Sequence, residues 1–170
     1  IESSLFDHMK LRYGTSHITL REHFRCMPEI IRFSTDLCYK DTPLIPLRQY
    51  GPNRLPPLEH VYINGGYRKG SNSKTTNPPE AEAIVKRIIQ MCDDSRYKDK
   101  TMGVVVLQGE AQASLIENQL LERLGAKEME HRRLICGNPY SFQGDERDII
   151  ILSLGAANNE RIGSFTKAAD

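Results

Sequence analysis

The order of apolar and polar residues along the chain predicts strands that alternate with helices. Five runs rich in apolar residues indicate strands: Ser16–Leu20, His60–Asn64, Met102–Leu107, Arg132–Cys136 and Asp148–Leu154. Helical spacing of apolar residues indicates three helices: one that begins at Pro28, one over Glu80–Cys92, and one over Glu110–Leu124 with Gly125 as its cap. The pattern therefore predicts an α/β fold in which a parallel sheet carries helices on both faces.

Two connecting segments do not fit into this sheet. Thr42–Pro57 contains five prolines, which predict an extended connection because proline ends helices and is excluded from central strands. Gly65–Pro79 is polar and rich in glycine, serine and threonine, so we expect a flexible internal loop at 65–79.

The predicted fold indicates where a functional site would lie. In open parallel sheets, ligands bind at the carboxyl ends of the strands. Three segments follow predicted strands in this chain, and we expect them on one rim: Arg21–Met27, Gln108–Gln112 and Gly137–Glu146.

Composition and charge narrow the class of protein. The 170 residues suit one domain, and a net charge of +1 provides no overall attraction to nucleic acid or to an anionic membrane. No apolar run approaches the ~20 residues of a membrane span, so no membrane partner is expected. The four cysteines are scattered without a C-x-x-C pair, which favours a cytoplasmic location. The chain begins at Ile1 without a signal segment, and we interpret it as a piece of a longer protein.

Several kinds of active site are excluded by their motifs. The closest match to a phosphate-binding P-loop is Gly65-x-x-x-x-Gly70, which lacks the lysine that meets the phosphates. The five histidines show no metal-ligand spacing, so no metal site is predicted.

Two rim segments retain chemistry that packing alone does not explain. Arg25 stands between a predicted strand and the helix that begins at Pro28, where a guanidinium can reach a bound anion; a surface salt bridge is the alternative. In Gly137–Leu154, Gly144 permits close backbone approach, and Gln143 and Glu146 can bond a ribose or orient a water. The alternative for this second segment is an acidic helix N-terminus.

Together, in this order, the two segments resemble motifs IV and V of superfamily 1 helicases, in the group typified by the nonsense-mediated-decay helicase. The sequence HFRCMPEII, His23–Ile31, resembles that group's Q-Y-R-x-H-P-x-I, and SFQGDERD, Ser141–Asp148, resembles its S-F-Q-G-x-E-x-D. GVVVLQGEAQ, which begins at Gly103, is similar to a further family segment that ends in glutamine. The resemblance spans nearly the whole chain.

The resemblance implies the second of two RecA-like motor domains of P-loop NTPase fold, without the P-loop itself. It implies that ATP with Mg²⁺ is shared with a missing N-terminal RecA-like domain of the same parent chain, and that single-stranded DNA or RNA is the partner. By position, Arg25 would be an arginine finger, and Gln143, Gly144 and Glu146 would lie at the nucleotide. Asn138 would contact a backbone phosphate, and Gln108 and Gln112 would line the same nucleic-acid track.

Departures from the family limit what this chain would do alone. The family's Walker motifs belong to the first domain, and its motif VI would follow Asp170. Because this chain lacks these motifs, it is expected on its own neither to hydrolyse ATP nor to unwind a duplex. Tyr140 stands where many members carry aspartate. The alternative function is a non-catalytic α/β module that binds nucleic acid or protein.

Overall fold

The structure is a computed structural model that describes residues 4–14, 16, 18–48 and 50–157. The chain divides into two compact units, Ile1–His60 and Val61–Asp170.

The first unit contains two helices and a pair of very short strands. In chain order these are α1 (Leu5–Tyr13), β1 (Glu22–His23), α2 (Pro28–Cys38) and β2 (Ile45–Pro46), with β1 and β2 parallel. Helix α1 begins with a capping box, in which Ser4 Oγ accepts a bond from the Asp7 N–H at 3.2 Å and Asp7 Oδ2 accepts one from the Ser4 N–H at 2.9 Å. None of the described residues of this unit is buried.

The second unit holds the core of the described chain. Its elements are α3 (Pro78–Asp93), β3 (Met102–Val106), α4 (Glu110–Arg123), α5 (Ala126–His131), β4 (Ile135–Gly137) and β5 (Ile149–Ser153), and a 3₁₀ helix at Pro139–Phe142 follows β4. The three strands form a parallel sheet with the order β4-β3-β5. The predicted α/β class with a parallel sheet is confirmed.

Side chains of β3 alternate between the two faces of this sheet. Met102, Val104 and Val106 are almost completely buried on the face against which α3 and α4 pack. On the opposite face, a Cβ atom added at Gly103 would lie only 2.6 Å from the Phe142 ring. Phe142 is the last residue of the 3₁₀ helix, so helical segments flank both faces of the sheet.

The structure corrects two of the predicted strands. His60–Asn64 has no regular structure, and the described part of Ser16–Leu20 has none either; the strand in that region is β1, a few residues later. Apolar alternation was the wrong guide here, because β1 is a polar pair of residues that is set by its bonds to β2. Backbone bonds join Ile45 N–H to Arg21 O at 2.8 Å and Leu47 N–H to His23 O at 2.9 Å.

The predicted loop at 65–79 has definite local structure. Lys69 and Thr76 form an antiparallel bridge around a 3₁₀ turn at Asn72–Lys74. Thr75 and Asn77 are each only 2% exposed. This segment therefore contributes polar residues to the interior, which its composition did not indicate.

Candidate functional site

The carboxyl ends of β3 and β4 meet at one edge of the sheet in the second unit. Gln108 and Gly109 follow β3, and Asn138 follows β4. A hollow of about 320 Å³ lies between these ends, and its walls include Val106, Leu107, Glu110 and Tyr140. The structure thus brings together two of the three predicted rim segments.

Asn138 caps the 3₁₀ helix that borders this hollow. Its Oδ1 accepts bonds from the Ser141 N–H at 3.1 Å and from Ser141 Oγ at 3.2 Å. These bonds use the side-chain oxygen and leave the two donors of the Asn138 amide for another acceptor. A phosphate oxygen is an acceptor of this kind.

The predicted nucleotide-facing residues follow the 3₁₀ helix in a compact turn. Gly144 has φ +80°, and a Cβ atom there would meet nothing within 4 Å, so one side of this backbone is open to a ligand. Gln143 and Glu146 are exposed on either side of it. The turn therefore has open space beside Gly144, and its contact with a nucleotide stays a prediction.

Arg147 supports the turn at residues 143–146 from the interior of the unit. Its side chain is 4% exposed, and it bonds Asp145 Oδ1 at 2.7 Å, Glu146 O at 2.8 Å and Arg133 O at 2.8 Å. Hydrogen bonds from Arg147 and from the Glu146 N–H lower the pKa of Asp145. The sequence did not indicate this role, because an arginine between two acidic residues can be buried or exposed, and the local sequence does not distinguish the two.

Gln108 lies on the other side of the β3 end from the hollow. Its backbone and Cβ pack near Gly155, where a Cβ atom would lie 3.1 Å from Gln108 O. Within the described chain, its Nε2 is buried and has no hydrogen-bond partner. An unpaired buried donor is costly, so this amide favours an added polar acceptor.

Gln112 is completely buried, unlike a residue that lines a surface track. Its Oε1 accepts a bond from the Asn77 N–H at 2.8 Å, and its Nε2 donates to Asn77 O at 3.3 Å and to Ser153 Oγ at 3.4 Å. These bonds join the start of α3, the start of α4 and the end of β5. The burial favours a structural role for Gln112 over the predicted contact with nucleic acid.

Glu80 adds further hydrogen bonds next to those of Gln112, at the end of β5. Its carboxylate accepts bonds from the Leu154 N–H at 2.8 Å and the Gly155 N–H at 3.0 Å. Burial raises the pKa of Glu80, although these backbone bonds oppose the shift. We refer to Asn77, Glu80, Gln112 and Ser153 as the polar network.

Arg25 belongs to the first unit, in the loop between β1 and α2. Its side chain is exposed, and its carbonyl accepts a bond from Arg48 Nη1 at 3.0 Å. The ring of His23 accepts a bond from the Cys26 N–H at 2.9 Å. These two bonds hold the peptide that joins Arg25 to Cys26, so the loop that carries the exposed Arg25 is anchored through its backbone.

In the described part of the chain, metal-ligating residue types are dispersed and the Cys136 thiol is largely shielded from solvent. No group of His, Cys, Asp and Glu side chains there is arranged to hold a metal ion. Burial raises the pKa of Cys136, beside the hollow, to about 12, so its thiol is a poor nucleophile at neutral pH. None of the described helices is long and apolar enough to cross a membrane.

Comparison with known proteins identifies the family. A family model described as an AAA domain matches residues 1–169. The chain belongs to this AAA domain family. The parallel α/β sheet of the second unit agrees with that membership.

Two curated proteins are similar to this AAA domain chain. One is an uncharacterized ATP-dependent helicase of Mycoplasma genitalium, which is 31% identical over 147 residues. The other is its homologue in Mycoplasma pneumoniae, which is 30% identical over 148 residues. Each match covers 80% of this chain but only 12% of the relative, so the chain spans a small part of these proteins.

Proposed function

We propose that the chain is the second RecA-like motor domain of an ATP-dependent superfamily 1 helicase or translocase, which acts on single-stranded DNA or RNA. The observation that carries the proposal is the AAA domain match over residues 1–169, together with relatives that are named ATP-dependent helicases. The N-terminal RecA-like domain of the same parent chain is the proposed partner across the nucleotide.

The open turn at residues 143–146 supports the nucleotide contact. In this proposal Gly144 lets the backbone approach the nucleotide, and Gln143 and Glu146 bond it from their exposed positions. Arg147 supports the turn from the interior and keeps its geometry fixed. A preorganised turn loses little entropy when the ligand binds.

Arg25 is proposed as the arginine finger. ATP with Mg²⁺ would supply the phosphoryl group and the metal charge, and both are shared with the first domain. The guanidinium of Arg25 would stabilise the negative charge that develops on the phosphoryl oxygens, an effect worth ~10³–10⁵ in rate in related enzymes. The exposure of Arg25 on its anchored loop supports this role.

Asn138 is proposed to bind a phosphate of the nucleic-acid backbone through its side-chain amide. The cap bonds to Ser141 support this role, because they fix the amide and direct its donors elsewhere. Gln108 is proposed to line the same track; because its Nε2 is buried and unpaired in the described chain, this contact requires its side chain to turn outwards. Both contacts are independent of base identity.

The test is ATP hydrolysis by the intact parent protein, measured with and without single-stranded DNA or RNA. We expect a rate that the oligonucleotide stimulates and that Arg25→Ala lowers by orders of magnitude while ATP binding persists. Arg32→Ala is the matched control, because Arg32 is an exposed arginine of α2 whose ion pair with Asp36 is a surface contact. The control is expected to keep the parental rate.

Two other results would overturn the proposal. A rate that is absent, or that the oligonucleotide does not change, would instead favour a non-catalytic binding module. Oligonucleotide-stimulated hydrolysis by the 170-residue chain alone would contradict the requirement for a first domain.

A further inference from the structure

The hollow at the carboxyl edge of the sheet has a large exposed aromatic side chain on its wall. Tyr140 is 72% exposed and lines the hollow, whereas Phe142 in the same 3₁₀ helix packs against Gly103 of β3. An exposed tyrosine beside a hollow gives a flat apolar surface with one polar tip. The resemblance gives Tyr140 no role, since family members often carry aspartate there.

The chemistry of the hollow suits a ring and disfavours a phosphate. The end of β3 contributes Val106 and Leu107, and the start of α4 contributes Ala113. Among the described residues that line the hollow, only Glu110 carries a charge, and that charge is negative. A phosphate would be repelled there, whereas a carboxylate accepts hydrogen bonds from the N–H groups of a base.

The size of the hollow agrees with a single small occupant. Its volume of about 320 Å³ lies near the lower end of the range of roughly 300–1,000 Å³ that small-molecule pockets occupy. It is therefore suited to one planar ring rather than to a peptide or a folded partner.

Tyr140 is carried on a rigid support. Asn138 caps the start of the 3₁₀ helix through its two bonds to Ser141. At the other end, Phe142 packs so closely on Gly103 that no side chain would fit between them. The backbone beneath Tyr140 is thus fixed from both ends, which lowers the entropy lost when its ring is covered.

We propose that this hollow receives one unstacked base of single-stranded nucleic acid and that Tyr140 provides the surface on which the base stacks. The inference rests on the proposed function and adds a base contact to a track that is otherwise made of backbone contacts. Asn138 caps the same 3₁₀ helix and lies on the wall of the hollow, so its amide can hold the phosphate that adjoins the stacked base. Stacking tolerates any base, as an enzyme that moves along a strand requires.

Oligonucleotide affinity of the whole chain tests the contribution of the ring. The probes are fluorescein-labelled oligothymidylate and oligouridylate, followed by fluorescence anisotropy. Tyr140→Ala is expected to weaken binding roughly 5- to 150-fold, and Tyr140→Phe to keep it, because the ring and not the hydroxyl carries the contact. Tyr67→Ala is the matched control, since Tyr67 is a 45% exposed tyrosine of the same unit outside the hollow.

A tryptophan at this position reports stacking directly. The chain contains no tryptophan, so Tyr140→Trp introduces a single fluorophore, and Tyr67→Trp does the same at the control position. We expect the oligonucleotide to quench the first variant strongly and the second little. A base-free deoxyribose-phosphate polymer of the same length is expected to leave both unquenched.

The outcomes separate this inference from the function on which it rests. Oligonucleotide binding that Tyr140→Ala leaves unchanged, or quenching that the base-free polymer reproduces, would overturn the stacking role while the motor proposal stands. Absence of oligonucleotide binding by the unaltered chain would overturn the stacking role, while ATP hydrolysis by the intact parent protein would still decide the motor proposal. Since Tyr140 is mostly exposed, its replacement is not expected to prevent folding.

Discussion

Gln112 provides the sharpest test of the structure, because its burial and its predicted surface role lead to opposite results. Gln112→Ala removes the acceptor of the Asn77 N–H and both donor contacts of the amide. Asn77 is 2% exposed, so its N–H has no contact with bulk water that could replace the lost acceptor. An unpaired buried donor costs about 1–3 kcal/mol, and the space left by the side chain adds to this.

We therefore expect Gln112→Ala to lower the free energy of unfolding by about 2–4 kcal/mol. For a chain of this size that corresponds to a fall of roughly 4–16 °C in the melting temperature. The measurement is urea denaturation followed by circular dichroism. Gln90→Ala is the matched control, because Gln90 is exposed on α3 and the chemical change is the same; its effect is expected to stay within about 0.5 kcal/mol.

Gln112→Glu separates the hydrogen bonds from the loss of volume. An ionised carboxylate keeps the bond from the Asn77 N–H but repels Asn77 O, which the amide of Gln112 contacts at 3.3 Å. A protonated carboxyl restores the donor, so the pKa of the new group should be raised in the folded state. The folded state then binds more protons than the unfolded state, and this variant should gain stability relative to wild type as the pH falls.

If Gln112→Ala unfolded like wild type and instead lost oligonucleotide affinity, the structural role would be refuted and the predicted track contact would be supported.

Three further predictions concern the same unit. Burial raises the folded-state pKa of Glu80, so its contribution to stability is present below the ordinary pKa and is lost as the pH rises through the folded pKa. Glu80→Gln should remove this pH-dependent loss of stability. The measurement is the free energy of unfolding of the variant and of wild type at acidic and at neutral pH. Gly103→Ala should lower the free energy of unfolding by about 1–3 kcal/mol in urea titrations, because its Cβ would lie 2.6 Å from the Phe142 ring. Gly109 and Gly144 have similar positive φ values, +82° and +80°, but a Cβ atom would lie 2.2 Å from a backbone carbonyl oxygen at Gly109 and in open space at Gly144. Thermal melts should therefore show a loss of about 1–2 kcal/mol for Gly144→Ala and a clearly larger loss for Gly109→Ala, and equal losses would contradict the close approach.

The sheet of the second unit was predictable because its strands carry a strong local signal. Residues 102–107 are a continuous apolar run, residues 148–154 contain the apolar run Ile149 to Leu152, and β3 and β5 lie within those ranges. Helices α3 and α4 were likewise predicted within two residues, since their apolar residues recur at helical spacing. In the first unit the signal is weak, and β1 depends on its bonds to β2 rather than on its own residues.

The site was less predictable because it depends on contacts between distant parts of the chain. Asn77 and Gln112 are 35 residues apart, and neither sequence neighbourhood indicates that they pair in the interior. Tyr140 was noticed only as a departure from a family pattern. Its exposure beside a hollow depends on the anchoring of Phe142 against Gly103, and only coordinates reveal such packing.

The two sides of the carboxyl edge differ in a way that bears on how a motor would couple its ligands. On one side, the polar network ties the starts of α3 and α4 to the end of β5, and the bonds of Gln112 within it are buried. On the other side, the proposed base contact at Tyr140 and the proposed nucleotide contacts at 143–146 share one short segment. That segment is braced internally, since the Gln143 N–H bonds Tyr140 O at 3.1 Å and the Asp145 N–H bonds Phe142 O at 3.0 Å. The proposed nucleotide and base contacts are therefore joined by a few covalently linked residues whose Phe142 packs against Gly103, which is the shortest connection between the two ligands that this edge offers.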